Sequence, residues 1–596
     1  MLSSCVVNHE NVYVLLIKLS QLGKNKKRQF PKVNDMQTRF QVLAELCEKL
    51  EATSKRTVMV DLVVDFLNQL DMDEVGSAVS MILGRAFPKW DQRVLEISWA
   101  TLSDVIKRLT NVNWTNFREA FTKTGDIGAA TKILFESSKI RKQTTLLEKP
   151  LTILEVVRAL EAIAEIVGHS SRERKERLLE TLFSQTSALE AKYLVKIIIG
   201  EMRTGFYEGL MELAVSKTFN IPLNVVQTAT MLSGDIAEVA KMANSHGRAG
   251  VLKLQLQVFR PFRPMMAQNC ESLEDVLREH GGETAFEYKL DGARIQIHKR
   301  DDKIRIFSRR LTDVTESLPE IVELIKDRVT ARNAVLEGEV VAVGEDRSPM
   351  LFQHLMRRFR RVHKIEEMQS QIPIELYLFD ILYLGDKSLI EHSYIERRRK
   401  LKEICGDIPL TRQLITKSSE EAKRFLEEAI EAGHEGLMVK KLVSTYTPGI
   451  RGKRWFKIKR TLEPLDLVIV GAEWGYGRRH NWLSDYYLAA RDSETGRFLV
   501  VGKTFKGLTD EEFVQMTKRL KELIIEKQPH GVVVVPKIVV QVAYNEIQKS
   551  PKYECGMALR FARITRIRED KSPEEANTIQ RVREIYERQY EKKARY

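Results

Sequence analysis

The stretch Glu287-Tyr288-Lys289-Leu290-Asp291-Gly292-Ala293-Arg294 sets a lysine between acidic residues and follows it with a glycine turn and an arginine. A lysine amine titrates near ~10.4, so it attacks phosphorus at neutral pH only where burial or neighbouring cations lower its pKa. Residues 285–290 predict a strand that enters the Asp-Gly turn, and the alternation over 295–298 predicts the returning strand. Two interpretations are therefore open: an ordinary hairpin, or a covalent nucleophile at a strand end that faces a cleft.

The composition indicates a multidomain protein with an anionic partner. The chain has 596 residues, of which 43% are hydrophobic, which is enough apolar material for several cores. Its 96 lysines and arginines exceed its 82 aspartates and glutamates and give a net charge of +14. This excess favours a polyanion such as nucleic acid.

Cysteine spacing and hydropathy exclude several classes of protein. The five cysteines lie far apart and form no Cys-x-x-Cys pair, so neither a zinc module nor a disulfide framework is indicated. The apolar run 12–17 is too short to span a bilayer, and the basic cluster 24–28 follows it instead of preceding it as in a secretory signal. We therefore expect a protein inside the cell that has no membrane partner.

Hydrophobic periodicity divides the chain into four parts. Residues 1–35 form either a flexible extension or a misassigned segment, because a second methionine, Met36, directly precedes the first helical pattern. Apolar residues recur at three or four positions over 36–245 and predict an all-helical domain. Residues 250–460 mix strands with helices, and 461–596 predict a small barrel of the oligonucleotide-binding (OB) class with a C-terminal helix. Its predicted short strands include 532–535 and 538–542, and Ser572-Pro573 is expected to open the last helix.

Charged residues interrupt the predicted strands of the third part. Glu337 and Glu339 lie within an apolar strand, and Glu435 opens another. Burial of a carboxylate is costly unless it is paired or binds a metal, so these acids need partners. Alternation also places Lys457 and Lys459 on one face of a further strand.

Six sequence elements occur in a fixed order along the chain. They are Lys289-Leu290-Asp291-Gly292-Ala293-Arg294, Phe307-Ser308-Arg309-Arg310, Leu336-Glu337-Gly338-Glu339, Glu435-Gly436-Leu437-Met438-Val439-Lys440, Trp455-Phe456-Lys457-Ile458-Lys459 and Arg566-Ile567-Arg568-Glu569-Asp570-Lys571. In this order they resemble the ATP-dependent DNA ligases of the covalent nucleotidyltransferase superfamily, most closely the archaeal and eukaryotic replicative type. The resemblance extends over residues 36–596 and includes the helical part around 198–205.

The resemblance implies a fold and an activity. The fold would consist of an all-α DNA-binding domain, an α+β nucleotidyltransferase (adenylation) domain and a β-barrel OB-fold domain. The activity would be the ATP-dependent sealing of nicks in duplex DNA during replication, repair and recombination. Lys289 would form a lysyl-adenylate, AMP would pass to the DNA 5′-phosphate, and the 3′-hydroxyl would close the nick.

The resemblance also assigns residues to the nucleotide. Those expected to bind it are Glu287, Arg294, Arg309, Glu339, Phe379, Arg454, Lys457 and Lys459. Glu287 would contact the adenine amino group and Phe379 would stack on the ring, although an aromatic residue in such a strand is more often part of the core. Both strand lysines would neutralise phosphate oxygens and would also lower the pKa of Lys289.

A metal ion is implied as well. Glu339 and Glu435 would help to hold Mg²⁺, or Mn²⁺ in its place, which would give two of the interior acids a partner. Part of the metal coordination would come from the phosphates of the nucleotide.

Other residues are expected to bind DNA or to form the last family motif. They are Arg203, Arg478, Arg479, Arg566, Arg568, Asp570 and Lys571. The last motif would move with the barrel about a hinge at 459–464 and would orient pyrophosphate in the first step. The segment Gln143–Leu147 occupies the place of a short sliding-clamp motif, but it has leucines where the family has aromatics, which leaves clamp binding open. We expect a monomer that is cytoplasmic and associated with the nucleoid.

Four other classes are disfavoured. An RNA ligase or a capping guanylyltransferase shares the Lys-x-Asp-Gly element but does not fit the helical part or the ending at 568–571. An NAD-dependent ligase would need four clustered cysteines. A P-loop ATPase fails because Arg497 stands where the motif preceding Gly502-Lys503-Thr504 needs glycine. A silent DNA-clamping scaffold would not need the lysine, the acids and the cationic strand together.

Overall fold

The computed structural model describes residues 37–138, 150–359, 365–459, 462–476 and 479–590. The predicted extension 1–35, the segment Gln143–Leu147, Arg478 and part of the predicted hinge lie outside these ranges. Across the described ranges, no helix combines the length and the apolar character needed to cross a membrane.

The first part of the structure is helical, as its apolar periodicity predicts. Its helices are Phe40–Glu51, Arg56–Leu67, Val75–Ile82, Trp99–Thr110, Trp114–Thr124, Ile127–Ser137, Ile153–Glu165, Ser171–Ser184, Ala188–Ile199, Glu208–Thr218, Leu223–Ser233 and Ile236–Val251. Their buried faces share one core. Capping boxes at Thr152 and Ser187 satisfy free backbone N–H groups where two of these helices begin.

Two five-stranded sheets form the middle of the chain. The first has the order β1-β10-β9-β2-β8 and consists of β1 Met266–Asn269, β2 Thr284–Lys289, β8 Gln413–Thr416, β9 Gly436–Lys441 and β10 Arg451–Lys459. The second has the order β4-β3-β5-β6-β7 and consists of β3 Ala293–Arg300, β4 Lys303–Ser308, β5 Asn333–Ala342, β6 Ile374–Leu384 and β7 Lys387–Ser388. Helices cover the sheets at Leu273–His280, Pro319–Arg328, Phe352–Phe359, Ile365–Gln371, Tyr394–Ile404 and Ser419–Glu431.

The predicted hairpin at Lys289 is wrong. β2 pairs with β8 and β9, whereas β3 pairs with β4 and β5, so residues 290–292 cross from one sheet to the other. Gly292 is needed there for close approach: a Cβ would collide with the Val340 carbonyl oxygen and lie 2.8 Å from Glu339 Cγ. The Asp-Gly turn thus brings the two sheets together at the end of the lysine strand.

The last part is a barrel with one helix inserted and one appended. Its strands are β11 Leu465–Trp474, β12 Leu483–Arg491, β13 Phe498–Thr504, β14 Ile524–Gln528, β15 Gly531–Ala543, β16 Glu546–Lys549, β17 Met557–Arg560 and β18 Arg563–Ile567. The helices are Asp510–Glu522 and Ile579–Tyr590. The predicted multidomain fold class is confirmed.

Two local predictions in the barrel are wrong. The separate strands predicted around 532–535 and 538–542 are one strand, β15, whose pairing with β11 shifts register near Pro536. Ser572-Pro573 opens a short 3₁₀ turn at Pro573–Glu575 instead of the last helix, which begins at Ile579.

Candidate active site

A cavity of about 1870 Å³ lies between the two sheets, and the barrel closes one side of it. Nine residues singled out from the sequence line it: Glu287, Lys289, Arg294, Arg309, Glu339, Phe379, Glu435, Lys457 and Lys459. The period of two in a strand explains the convergence, because alternate residues of β2 and β10 face the same side. Residues from the five strands β2, β3, β5, β6 and β10 thereby share one space, together with Arg309 just after β4 and Glu435 just before β9.

Gly436 aligns the groups at the centre of the cavity. It lies opposite Lys289 on β2 and opposite Lys459 on β10, so the two lysines flank the start of β9 at the same level. Its φ of 141° and the Ile458 carbonyl oxygen beside it leave no place for a side chain. The carboxylate of Glu435, the preceding residue, forms an ion pair with the Lys289 ammonium at 2.8 Å and also pairs with Lys459.

The electrostatic balance at Lys289 differs from the sequence-based expectation. Burial lowers its pKa, but the carboxylates of Glu435 and Glu339 outweigh burial, and the net effect is a raised pKa. The expectation that Lys457 and Lys459 lower the pKa of Lys289 below its ordinary value is therefore wrong. The physical reason is register: Glu435 lies within ion-pair distance, while Lys459 is itself neutralised by that carboxylate.

The ionised form of Glu339 is only partly compensated by the cations around it. Desolvation raises its pKa to about 7, since Lys289 and Arg294 offset that effect only in part and Glu435 opposes them. Glu435, which pairs with both lysines, has its pKa lowered to about 2 despite desolvation. Because the environment of Glu339 disfavours its ionised form, a nearby cation would stabilise that form.

These two acids fit a Mg²⁺ ion that takes its other ligands from phosphates and water. Mg²⁺ is commonly bound through one or two carboxylates together with the phosphates of a substrate. The described residues contain no group of three or more histidine, cysteine, aspartate or glutamate side chains arranged to hold a metal. The described part of the chain therefore does not supply a complete cage, and the fit depends on bound nucleotide.

Arg294 is anchored beside the expected ring-stacking residue. Its guanidinium donates to Glu337 at 2.7 Å and to the Met265 carbonyl at 2.9 Å, and its centre lies 5.2 Å from the Phe379 ring. Tyr446 donates to the same Glu337 carboxylate at 2.8 Å. The buried Glu337 thus has the partner that the sequence required.

Several expected site residues lie outside the cavity lining. Arg454 is exposed on β10 and donates to Thr445 at 2.6 Å. Arg203 lies in a loop of the helical part, where it donates to the Gly125 carbonyl at 2.8 Å. Arg479 packs over the Phe513 ring, 4.1 Å from its centroid, and donates to Asp510.

The last motif is likewise held within the barrel. Arg568 and Lys571 both donate to Asp466, and Arg568 also pairs with Asp570. Arg566 lies on β18 opposite Gln541. The structure does not bring these four motif residues to the cavity.

Sequence reasoning missed Lys440, Trp455 and Met438 as cavity residues. All three lie in stretches that the motifs already include. Strand alternation could have found them, because Met438 and Lys440 share a face of β9, as Trp455 and Lys457 share a face of β10.

The fold and the cavity define a nucleotidyltransferase with a helical part before the catalytic sheets and a barrel after them. Residues 39–214 match the family described as "DNA ligase N terminus", residues 264–459 match "ATP dependent DNA ligase domain", and residues 479–571 match "ATP dependent DNA ligase C terminal region".

Full-length relatives agree with these matches. The chain is 44% identical to a DNA ligase of Thermococcus fumicolans over 551 residues, which cover 92% of this chain and 98% of the relative. It is 47% identical to DNA ligase 1 of Korarchaeum cryptofilum, with the same coverage of both chains. A solved structure titled Pmar-Lig_PreS3 is 17% identical, covers 88% of this chain and 99% of its own, has a TM-score of 0.55, and supports the fold alone.

The chain belongs to the family of ATP-dependent DNA ligases, in the type found in archaea.

Proposed function

We propose that Lys289 is the residue through which this ATP-dependent DNA ligase is adenylated before it seals nicks. The observation that carries the proposal is the position of its ammonium, in a cavity between two sheets with Glu435, Glu339, Lys457 and Lys459 around it. A lysine in this position is suited to attack the α-phosphate of a nucleotide. Cations that can neutralise the phosphate and carboxylates that can bind a metal line the same cavity.

The reaction has three balanced steps. The Lys289 Nζ lone pair forms a bond to the α-phosphorus of ATP while the bond to pyrophosphate breaks. A 5′-phosphate oxygen of the nick then displaces Lys289 from phosphorus, which gives a DNA-adenylate. The 3′-hydroxyl finally attacks the 5′-phosphorus, and AMP leaves as the phosphodiester forms.

The side chains around Lys289 divide the work. Nζ must first leave Glu435 and lose a proton, because the ammonium has no lone pair for attack. Lys457 and Lys459 stabilise the charge that develops on the phosphate oxygens. Burial and the two neighbouring lysines lower the pKa of Lys457, so an approaching phosphate would stabilise its charged form.

Glu339 and Glu435 are the proposed carboxylates for Mg²⁺ or Mn²⁺. Such an ion supplies charge neutralisation at the phosphates when it is bound. Within the chain, Glu339 lies on β5 opposite Arg294 of β3.

The remaining assignments belong to the same proposal. Arg309, at the cavity rim, binds a phosphate of the nucleotide. Arg454 also contacts the nucleotide. Arg203, Arg478 and Arg479 contact the DNA backbone, to which the net charge of +14 contributes. We expect a monomer in the cytoplasm, associated with the nucleoid. Clamp recruitment through Gln143–Leu147 stays a prediction.

Self-adenylation tests the proposal directly. The protein is incubated with ATP labelled at the α-phosphate and with Mg²⁺, and is then run on a denaturing gel. Label should remain on the wild type and on Lys303→Ala, an exposed lysine on β4 of the second sheet, and should be absent from Lys289→Ala. Label on Lys289→Ala, or none on the wild type, would overturn the assignment.

Nick sealing then fixes the substrate. Nicked DNA, nicked RNA and hybrid duplexes are compared with the same enzyme preparation. We expect sealing of nicked DNA, and a preference for nicked RNA would instead favour the RNA ligase alternative.

A further inference from the structure

Lys440 is a fully buried cation at one end of the active-site cavity. Its ammonium lies 4.8 Å from the ring centroids of Phe379 and Tyr394 and 4.6 Å from that of Trp455. It also pairs with Glu287 at 2.7 Å. Three aromatic faces and one carboxylate thus hold a charge that could not otherwise remain away from water.

Glu287 is the centre of a dense set of donors. Thr411 and Lys440 donate to one carboxylate oxygen, and Tyr394 and Gln413 donate to the other. Four donors match the capacity of an ionised carboxylate, which has no donor of its own. Gln413 is the donor that the adenine amino group can replace. Its hydrogen bond to Glu287 is long, at 3.2 Å, and it has a second acceptor 2.7 Å away in the Tyr394 hydroxyl.

The charge state of Glu287 decides which purine it can accept. An ionised carboxylate accepts a hydrogen bond from the 6-amino group of adenine but repels the 6-oxo group of hypoxanthine or guanine. A protonated carboxyl could donate to a 6-oxo group, and the preference for adenine would then be lost.

We propose that Lys440 is a positioning residue that makes the enzyme selective for adenine nucleotides over 6-oxopurine nucleotides by keeping Glu287 an acceptor. The proposal rests on the proposed function, in which Glu287 contacts the adenine amino group. Lys440 acts through Glu287 and not on the reacting phosphorus.

The neighbouring charges agree with this role. The titratable and charged groups that face the pair from the surrounding elements are Arg398 and Tyr394 on one helix and Asp380 on β6. Burial raises the pKa of Glu287, but Lys440 and then Arg398 lower it by more, so the carboxyl stays ionised. Arg398 is the more distant cation, at 3.8 Å, and is also bound to Leu378 and Thr411.

The test compares Lys440→Met with Lys441→Met, the adjacent lysine of the same strand. Self-adenylation rates are measured for ATP and for inosine triphosphate from pH 5.5 to 8.5, and kcat and KM are determined separately. For wild type and Lys441→Met we expect a strong preference for ATP that does not change with pH. For Lys440→Met we expect the preference to fall by at least about tenfold through KM, and to fall further as the pH decreases.

The direction of the pH effect follows from the charge. Without Lys440 the pKa of Glu287 rises, so more of the enzyme carries a neutral carboxyl at low pH and accepts inosine triphosphate. A purely structural role would reduce the rates for both nucleotides alike and leave their ratio unchanged at every pH. That result, in a variant with a wild-type melting temperature, would overturn the proposal.

A second variant keeps the test decisive if Lys440→Met does not fold. Glu287→Gln retains the lysine but replaces the acceptor with an amide that can donate, so its preference for ATP should fall and should not depend on pH. An unchanged ratio in Glu287→Gln would overturn the inference. Failure of the wild type to be labelled by ATP would instead overturn the proposed function, so the two failures are distinguishable.

Discussion

The ammonium of Lys289 lies 2.8 Å from the carboxylate of Glu435, so the proposed nucleophile is held as one half of an ion pair. Glu435→Gln should lower the pKa of Lys289, because that carboxylate is the largest of the effects that raise it. The pH profile of self-adenylation should therefore move to lower pH. The maximal rate should fall at the same time, since a proposed metal ligand is lost.

Single-turnover labelling between pH 6 and 10, at saturating ATP and Mg²⁺, measures both effects. Glu427→Gln, an exposed acid on the rim of the same cavity, is the matched control and should keep the wild-type profile. A profile that stays in place or moves to higher pH in Glu435→Gln would contradict the ion-pair account.

Gly292→Ala should slow adenylation by about a hundredfold while the fold is retained. The added methyl group would meet the Val340 carbonyl oxygen and Glu339, and so would push apart the two sheets that carry Lys289 and Glu339. A displacement of this size between reacting groups costs about a hundredfold in rate. Gly282→Ala, where a Cβ has nothing within 4 Å, should label normally. Equal labelling of both variants would show that the crossing tolerates a side chain.

Arg568→Ala should slow self-adenylation more than the sealing of a nick that is already adenylated. Arg568 is bound to Asp466 and Asp570 inside the barrel, and it can assist the first step only if the barrel moves. We expect a loss of about tenfold in labelling and little change in sealing of pre-adenylated DNA. Arg563→Ala, an exposed residue of the same strand, is the control. Equal losses in both assays would argue against a role confined to the first step.

His298 should make stability depend on pH. It is fully buried, accepts the Phe259 N–H at 2.9 Å through Nδ1, and lies 2.9 Å from Gln296 through Nε2. Burial lowers its pKa to about 3, so its contribution is complete above the unfolded value of about 6.5 and is lost as the pH falls towards 3.

Urea unfolding at pH 7.5 and pH 5 checks this expectation. Between pH 7.5 and pH 5, the free energy of unfolding of the wild type should fall by about 2 kcal/mol more than that of His298→Gln. The reason is that the variant has no imidazole to protonate in its unfolded state. Identical losses would mean that His298 takes up a proton as readily in the folded chain as in the unfolded chain.

Local patterns predicted the faces of strands well. Alternation alone placed Lys457 and Lys459 on one side of β10, and both line the cavity. Helical periodicity predicted that residues 36–245 are helical, because the buried face of an amphipathic helix is encoded within its own sequence.

Features that depend on distant strands were not predictable in this way. The segment 290–292 has every local sign of a hairpin, but the partners of β2 are β8 and β9, far along the chain. The sign of the Lys289 pKa shift failed for the same reason, because it depends on the register that sets Gly436 opposite Lys289. Pro536 suggested a break, yet β15 continues through it where its register shifts.

Among the strands that the structure describes, β8 is the last of its sheet and has β2 as its one partner. It carries Gln413, which donates to Glu287, whereas Lys289 lies on β2 between two neighbouring strands. A four-residue edge strand separates from its sheet at a lower free energy than an interior strand does. If β8 separates from β2 as the temperature rises, the preference for adenine over 6-oxopurine nucleotides should therefore fall at temperatures where Lys289 still attacks phosphorus.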